Sequence, residues 1–243
     1  MTLSPGFFLD RARLRAIALS HREAYPKARP YPHAVVEEFL GQSLARELAA
    51  AYPGPAHPSW KRKDHDEQAA RLGQLQRGGF EDVDGSLRHL LAELSGMAFI
   101  DFLQTLTGVQ GLIPDPHFRG AGLHLTLPGG HLALHVDFNR DRLRGLARRV
   151  TVLYYLNADW QPAWGGELEL WNGDLTRCEA RISPVLDRLV VMAHGETFWH
   201  GHPQPLACPE GRGRAVVAAY FYTADAASDA PEAHSAIWAP VRG

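Results

Sequence analysis

Eight short β-rich segments between about residues 112 and 223 constrain the fold more than any other feature of the chain. They are GLHLTL, HLALHV, RVTVLYYL, GELELW, EARIS, RLVVMA, TFWHGH and AVVAAYFYT. Gly, Pro, Asn and Asp residues separate them, as is typical of turns between strands. Because no helical pattern intervenes, the segments predict an antiparallel double-sheet jelly roll rather than a parallel sheet.

The first 110 residues show the helical period instead. One apolar stripe contains Leu44, Leu48 and Tyr52; two more contain Leu87, Leu90, Leu91 and Leu94, then Phe99, Phe102, Leu103 and Leu106, before Gly108. We expect these helices to buttress one face of the jelly roll. The charged segment 60–79 is expected to form a solvated surface loop, with the alternative that it helps to cover a site. The prediction is therefore one mainly β domain with α-helices over residues 1–243, with helical support over about 1–110, a jelly-roll core over about 112–223 and an irregular tail over 224–243.

Charge and cysteine content narrow the classes of partner. The formal net charge of -2 gives no basic surplus, so neither nucleic acid nor an anionic membrane surface is an expected partner. Cys178 and Cys208 are too few for a disulfide framework and are interpreted as inert thiols. No apolar run reaches the roughly 18 residues of a membrane span. We expect a soluble, cytoplasmic protein.

The stretch HLALHVDFNRD places His135 and Asp137 on the same face of a predicted strand. A His-x-Asp pair is weak by itself, because the chain has 13 histidines. A later strand carries His200 and His202 in the segment FWHGHPQPL. Two histidines and one carboxylate on neighbouring strands are the ligand set of a facial triad, which binds iron(II) and leaves the other coordination positions open.

Arg214 begins the apolar strand that follows these histidines. Iron in such a site needs a co-substrate to reduce dioxygen, and a dicarboxylate such as 2-oxoglutarate would chelate the iron through its keto acid end. The distal carboxylate then requires a cation. A guanidinium on a rigid strand suits bidentate capture of that group better than a mobile lysine does.

Five segments in order resemble the iron(II)/2-oxoglutarate-dependent dioxygenases, in their prolyl 4-hydroxylase-like branch. They are HVDFN, VTVLYYLNADW, WGGELELW, FWHGHPQPL and RAVVAAYFYT, and PYPHAVVEEFL is similar to the opening strand of that branch. The resemblance implies a double-stranded β-helix that uses Fe(II), 2-oxoglutarate, dioxygen and ascorbate as reductant. It also implies that His135, Asp137 and His200 bind iron, and that Arg214 and Tyr155 bind 2-oxoglutarate. Tyr154 must point to the opposite face from Tyr155.

Several neighbouring histidines compete for these roles. The resemblance favours His200 over His202, and the segment HGE from His194 to Glu196 lies in a predicted turn. His124 and His131, on strands leading to the site, are candidates for lining the pocket. One departure from the family is Leu127, where the longer animal enzymes often have a tyrosine, so one hydrogen bond to the co-substrate is expected to be missing.

Three interpretations of function stay open at this point. The first is hydroxylation of a prolyl residue in a peptide or protein, and the second is hydroxylation of a free amino acid or other small metabolite. A peptide is preferred because of the prolyl hydroxylase-like resemblance, and because a pocket for a small acid would more often need a second inward cation near the iron. Besides Arg214, Arg140 and Arg142, just past Asp137, are the candidates that could supply one. Residues 140–149 are either a substrate-covering lid or a solvated connection. The third interpretation, from another class, is a non-catalytic or zinc-binding jelly-roll module.

Overall fold

A computed structural model describes residues 6–74, 81–115, 117–118, 120–224 and 232–240. The helices are α1 (Arg11–His21), α2 (Gln42–Ala51), α3 (Gly85–Leu94) and α4 (Met97–Thr107). The first strands are β1 (His33–Val36), β2 (Lys61–Arg62), β3 (Gln68–Gln74), β4 (Ile113–Pro114), β5 (Gly122–Val136), β6 (Arg140–Asp141) and β7 (Leu146–Tyr155). The remaining strands are β8 (Leu168–Trp171), β9 (Cys178–Ile182), β10 (Arg188–Ala193), β11 (Trp199–His202), β12 (Arg214–Ala224) and β13 (Ile237–Trp238).

The helix ends follow from local sequence. The carboxylate of Asp10 accepts a hydrogen bond from the Arg13 backbone N–H, and that of Asp84 accepts one from Ser86, so both residues act as N-caps. Gly108 ends α4 in the left-handed conformation that favours glycine. The predicted leucine and phenylalanine stripes of α3 and α4 are buried.

The strands form one curled antiparallel sheet, in the order β1-β10-β7-β12-β5-β11-β8-β9. The long strand β5 belongs to both halves of the curl, because its first part pairs with β12 and its last part pairs with β11. The prediction of a mainly β jelly roll supported by N-terminal helices is therefore confirmed.

Strand β7 shows how the sheet separates a helical face from an interior face. Val150, Val152 and Tyr154 lie in the core cluster that includes the phenylalanines of α4. Tyr155 instead joins the cluster inside the curl, with residues of β8 and β10. The alternation of side chains along a strand places successive residues on opposite faces, as predicted for the two tyrosines.

The prediction of a surface loop at residues 60–79 was wrong over its described part. Lys61–Arg62 and Gln68–Gln74 form a hairpin, and β3 pairs with β5. The segment lacks a clear strand pattern because it is rich in charged residues, and the register of β3 with β5 shifts between Ala69 and Arg71. Residues 75–79 of the segment lie outside the described residues.

The C-terminal segment also contributes a strand. Within the tail predicted to be irregular, β13 pairs with the end of β5 at Val136 and His135. Residues 225–231 and 241–243 of the tail lie outside the described part of the chain. No helix among the described residues has both the length and the apolar character needed to cross a membrane.

Candidate active site

The structure brings His135, Asp137 and His200 together at the inner face of the curl. His135 and His200 are directly opposite each other on β5 and β11. Their Nε2 atoms lie 3.6 Å and 3.4 Å from the two carboxylate oxygens of Asp137, and the three donor atoms are all within 4.8 Å of one another. Two donors on one ion at typical metal–ligand distances lie roughly 3–4 Å apart, as both His–Asp pairs do, so the carboxylate and the two imidazoles are placed to share a single metal ion.

Both imidazoles are oriented for metal binding by their other nitrogen. The Nδ1 atom of His135 lies 2.9 Å from the carbonyl oxygen of Ala133, and that of His200 lies 3.1 Å from the carbonyl oxygen of Phe198. An Nδ1–H that donates to a carbonyl leaves the Nε2 lone pair free to face the ion, as is usual for metal-ligating histidines. The donor set therefore fits Fe(II).

Arg148, which was not predicted as a site residue, is paired with the carboxylate of Asp137. Its Nη2 donates to Asp137 Oδ2 at 2.7 Å and to the Thr151 hydroxyl at 2.9 Å. Its guanidinium also lies over the rings of Tyr220 and Phe138, at 3.5 and 4.7 Å from their centroids. Burial alone raises the pKa of Asp137, but Arg148 and the neighbouring histidines hold that pKa well below its usual range. Asp137 is thus an anion throughout the neutral pH range.

A cavity of about 200 Å³ opens in front of the triangle. Arg214 lines it, donating from Nε to the Gly166 carbonyl at 2.7 Å and from Nη2 to the Tyr155 hydroxyl at 2.9 Å. Gly166 has φ of +77°, and a Cβ there would lie 2.7 Å from Leu206 and 3.2 Å from Arg214. Only glycine accepts this conformation easily, and the missing side chain leaves room for Arg214 to bond the Gly166 carbonyl.

The competing residues divide between cavity and surroundings. His202 and His124 line the cavity, whereas His131, Leu127 and the His194–Glu196 segment are not among its lining residues. Burial and the nearby Arg214 hold the pKa of His202 well below its usual value, so it is neutral. The one three-member group of potential metal ligands found among the described residues contains neither His194 nor His202.

The cations expected near the iron are elsewhere. Arg140 and Arg142 lie in a separate surface cleft with Tyr222, and neither lines the cavity. In the part of the chain that the structure describes, the second arginine that lines it, besides Arg214, is Arg71 of β3. No sequence pattern marks Arg71 as a site residue, because it lies in the charged segment 60–79 that resembles a surface loop.

The C-terminal segment covers part of the cavity. Trp238 of β13 lines the cavity, and its ring centroid lies 5.1 Å from that of His135 and 5.2 Å from that of His65. The residue Asn139, two positions after Asp137, holds this segment by bonds to the Glu232 carbonyl and the His234 N–H. Residues 140–149, considered as a possible lid, form the hairpin of β6 and β7 instead.

Solved prolyl hydroxylases share this fold. A prolyl hydroxylase from Trichoplax adhaerens, in complex with a hypoxia inducible factor peptide fragment, has a TM-score of 0.61 and 16% identity, covering 87% of this chain and 91% of that one. A Pseudomonas putida prolyl-4-hydroxylase has a TM-score of 0.57 and 22% identity over 85% of this chain and 99% of that one. A Phytophthora capsici prolyl 4-hydroxylase has a TM-score of 0.58 and 18% identity over 92% of this chain and 68% of that one.

The sequence itself matches a family model over the strands that carry the site. The model describes the 2OG-Fe(II) oxygenase superfamily and matches residues 121–222, which include the triangle, Tyr155 and Arg214. Fe(II) and 2-oxoglutarate are thereby the cofactor and co-substrate, and this match disfavours the zinc-binding or non-catalytic module. Over residues 121–222, the strands that carry the site, the chain therefore matches the 2OG-Fe(II) oxygenase superfamily.

Proposed function

We propose that this chain hydroxylates an unactivated C–H bond of a prolyl or similar residue, with His135, Asp137 and His200 as the iron ligands. The observation that carries the proposal is the placement of this donor triangle and the Arg214 guanidinium in one cavity. Bound Fe(II) supplies the oxidising chemistry, in which 2-oxoglutarate and dioxygen become succinate and carbon dioxide while one oxygen atom enters the substrate. The side chains of the chain hold, orient and desolvate the reactants.

Arg214 and Tyr155 are assigned to the distal carboxylate of 2-oxoglutarate. Arg214 is almost fully buried, and among the described residues no carboxylate lies within salt-bridge distance of its guanidinium. A buried cation without an anion is costly unless a ligand supplies one. The Tyr155 hydroxyl accepts a hydrogen bond from Arg214 and is the second group assigned to this carboxylate, although Tyr155 is not among the lining residues of the cavity. Burial raises the pKa of Tyr155, so its hydroxyl keeps its proton for such a bond.

The prolyl substrate is supported by the fold of three prolyl hydroxylases, one of which holds a peptide. A free amino acid or other small metabolite is the second candidate substrate, and the presence of Arg71 in the cavity favours it. Both candidates place a substrate C–H bond beside the open side of the donor triangle.

The test is succinate formation from 2-oxoglutarate by purified protein with iron(II), ascorbate and air. Candidate prolyl peptides, free amino acids and small metabolites are screened in parallel for a mass gain of one oxygen atom. We expect turnover that requires iron and dioxygen and that disappears in His135→Ala. The matched control is His33→Ala on β1, whose Nδ1 lies 2.9 Å from the carbonyl oxygen of Tyr31, two residues earlier in the chain. Absence of any 2-oxoglutarate turnover across the panel, with iron bound, contradicts the proposed function.

A further inference from the structure

A second guanidinium enters the cavity from the hairpin that covers it. Arg71 of β3 lies opposite Thr126 of β5, and Thr126 lies opposite Arg214 of β12. Paired residues of antiparallel strands share a face, so the three side chains form one row across the sheet, and all three line the cavity. With two interstrand spacings between them, the backbones of Arg71 and Arg214 are roughly 10 Å apart.

Arg71 is held in place by neutral groups. Its Nη1 donates to the Gln68 side-chain oxygen at 2.5 Å, and its Nη2 lies 2.9 Å from His124 Nδ1. Burial, reinforced by the positive charge of Arg71, keeps the pKa of His124 well below its usual value, so the imidazole accepts this bond as a neutral ring. Within the described part of the chain, no carboxylate lies within salt-bridge distance of the Arg71 guanidinium.

The charges of the cavity leave Arg71 without an anion. Among the described residues that line the cavity, Asp137 is the one carboxylate, and it is paired with Arg148. Under the proposed function, 2-oxoglutarate places one carboxylate at the metal and the other at Arg214. Tyr155, which bonds Arg214, is on β7, and β7 flanks β12 on the side away from β3. The distal carboxylate is thus drawn away from Arg71.

We propose that Arg71 binds a free carboxylate of the primary substrate, with Gln68 and His124 fixing the orientation of the guanidinium. The substrate class is then an amino acid, or the C-terminal residue of a peptide, hydroxylated close to its own carboxylate. An internal prolyl residue carries no such group. A planar guanidinium matches a carboxylate through two parallel hydrogen bonds, which gives selectivity for the acid over its amide. This inference rests on the proposed function.

The small size of the cavity is consistent with a substrate that is a free amino acid or the C-terminal residue of a peptide. Its volume of about 200 Å³ is below the roughly 300–1,000 Å³ of pockets for larger ligands. Gln68 and Arg71 bound it on one side, and Ala236 and Trp238 bound it on another. A chain end enters such a space more easily than the middle of a long peptide does.

The test compares acids with their own amides. A panel of free amino acids and short peptides ending in proline is offered as carboxylic acids and as C-terminal amides, together with peptides that carry proline only internally. Product is measured as the gain of one oxygen atom. Binding to protein loaded with Ni(II) and 2-oxoglutarate is measured separately by calorimetry. The free amino acids and the terminal peptides are separate arms that identify the source of the carboxylate.

We expect wild type to prefer at least one acid to its amide by about 10- to 100-fold, the range for a charge-assisted contact. Arg71→Gln should lose this preference by weakening binding and turnover of the acid alone, and Arg71→Lys should restore part of it. The 2-oxoglutarate requirement should stay unchanged in both variants. Arg62→Gln is the matched control, because Arg62 lies exposed on the same hairpin and pairs with Asp64.

Each other outcome overturns the inference. If no acid is preferred to its amide, or if internal prolyl peptides are hydroxylated as well as terminal ones, Arg71 does not read a substrate carboxylate. If Arg71→Gln raises the 2-oxoglutarate requirement instead, the residue serves the co-substrate. Failure of the proposed function is distinct from these results, because wild type would then consume no 2-oxoglutarate with any compound in the panel.

Discussion

Replacing Arg148 by methionine isolates the electrostatic support of Asp137, the proposed iron-binding carboxylate. Methionine keeps most of the side-chain length but removes the donor that lies 2.7 Å from Asp137 Oδ2. Arg148 is 1% exposed, so water cannot take its place at the carboxylate without rearrangement. The variant therefore leaves a buried anion without its partner.

The expected cost follows from that burial. Removing one member of a buried ion pair typically destabilises a protein by about 3–5 kcal/mol, compared with about 0–1 kcal/mol for an exposed pair. The free energy of unfolding is measured by urea denaturation of metal-free protein at neutral pH. Arg149→Met is the matched control, because the adjacent side chain is exposed and bonds only the Thr223 hydroxyl among the described residues. It should change stability by about 0.5 kcal/mol or less.

A double-mutant cycle decides whether charge or packing is responsible. If the pairing with Asp137 matters, Arg148→Met should cost much less in an Asp137→Asn background, since no anion is then left unpaired. An equal cost in both backgrounds would refute the electrostatic reasoning. It would assign the role of Arg148 to its packing against the Tyr220 and Phe138 rings.

Three further substitutions probe the site directly. His200→Ala should abolish Mn(II) binding, followed by electron paramagnetic resonance, whereas His202→Ala should retain it; the reverse result would exchange their roles. Arg214→Ala should raise the 2-oxoglutarate concentration needed for half-maximal turnover by roughly 30- to 1000-fold, and Tyr155→Phe should raise it less. If that concentration is unchanged in Arg214→Ala, Arg214 does not bind the co-substrate. Gly201→Ala should weaken Mn(II) binding although all three ligands are intact. The added Cβ would lie 2.7 Å from a backbone oxygen of β5 and would push β11, with His200, away from β5. An unchanged Mn(II) affinity would contradict this packing argument.

The sequence predicted the jelly roll and the donor residues because strand periodicity places alternate side chains on one face. His135 and Asp137 share a face by spacing alone, and a strand partner bearing His200 completes the triangle. The opposite orientations of Tyr154 and Tyr155 follow from the same rule: Tyr154 donates to buried Asp187, and Tyr155 contacts Arg214.

The residues that escaped prediction lie in segments whose polarity resembles that of surface loops. Arg71 is in the charged stretch at 60–79, and Arg148 is in the basic stretch RDRLRGLARR. Composition does not distinguish an arginine that faces water from one that faces a buried carboxylate. Only the pairing of β3 with β5, and of β7 with β12, decides where these guanidiniums point.

Likewise, the tail gave no sign of its contact with the site. Its residues 232–240 lack strand periodicity, and Trp238 is an isolated aromatic among small and polar neighbours. The contact depends on where β5 ends in three dimensions, since β13 adds to its free edge beside His135.

The two tyrosines of β7 also make that strand unusually intolerant of length changes. Deleting one residue between Val150 and Tyr154 would slip the register by one position and turn every following side chain to the other face. Tyr154 would then leave Asp187, and Tyr155 would leave Arg214, in a single event. A deletion in the exposed turn that joins β6 to β7, around Leu143, would leave the register of β7 with β12 intact. Within this hairpin, natural variants of the chain should therefore carry insertions and deletions in the turn and none in β7.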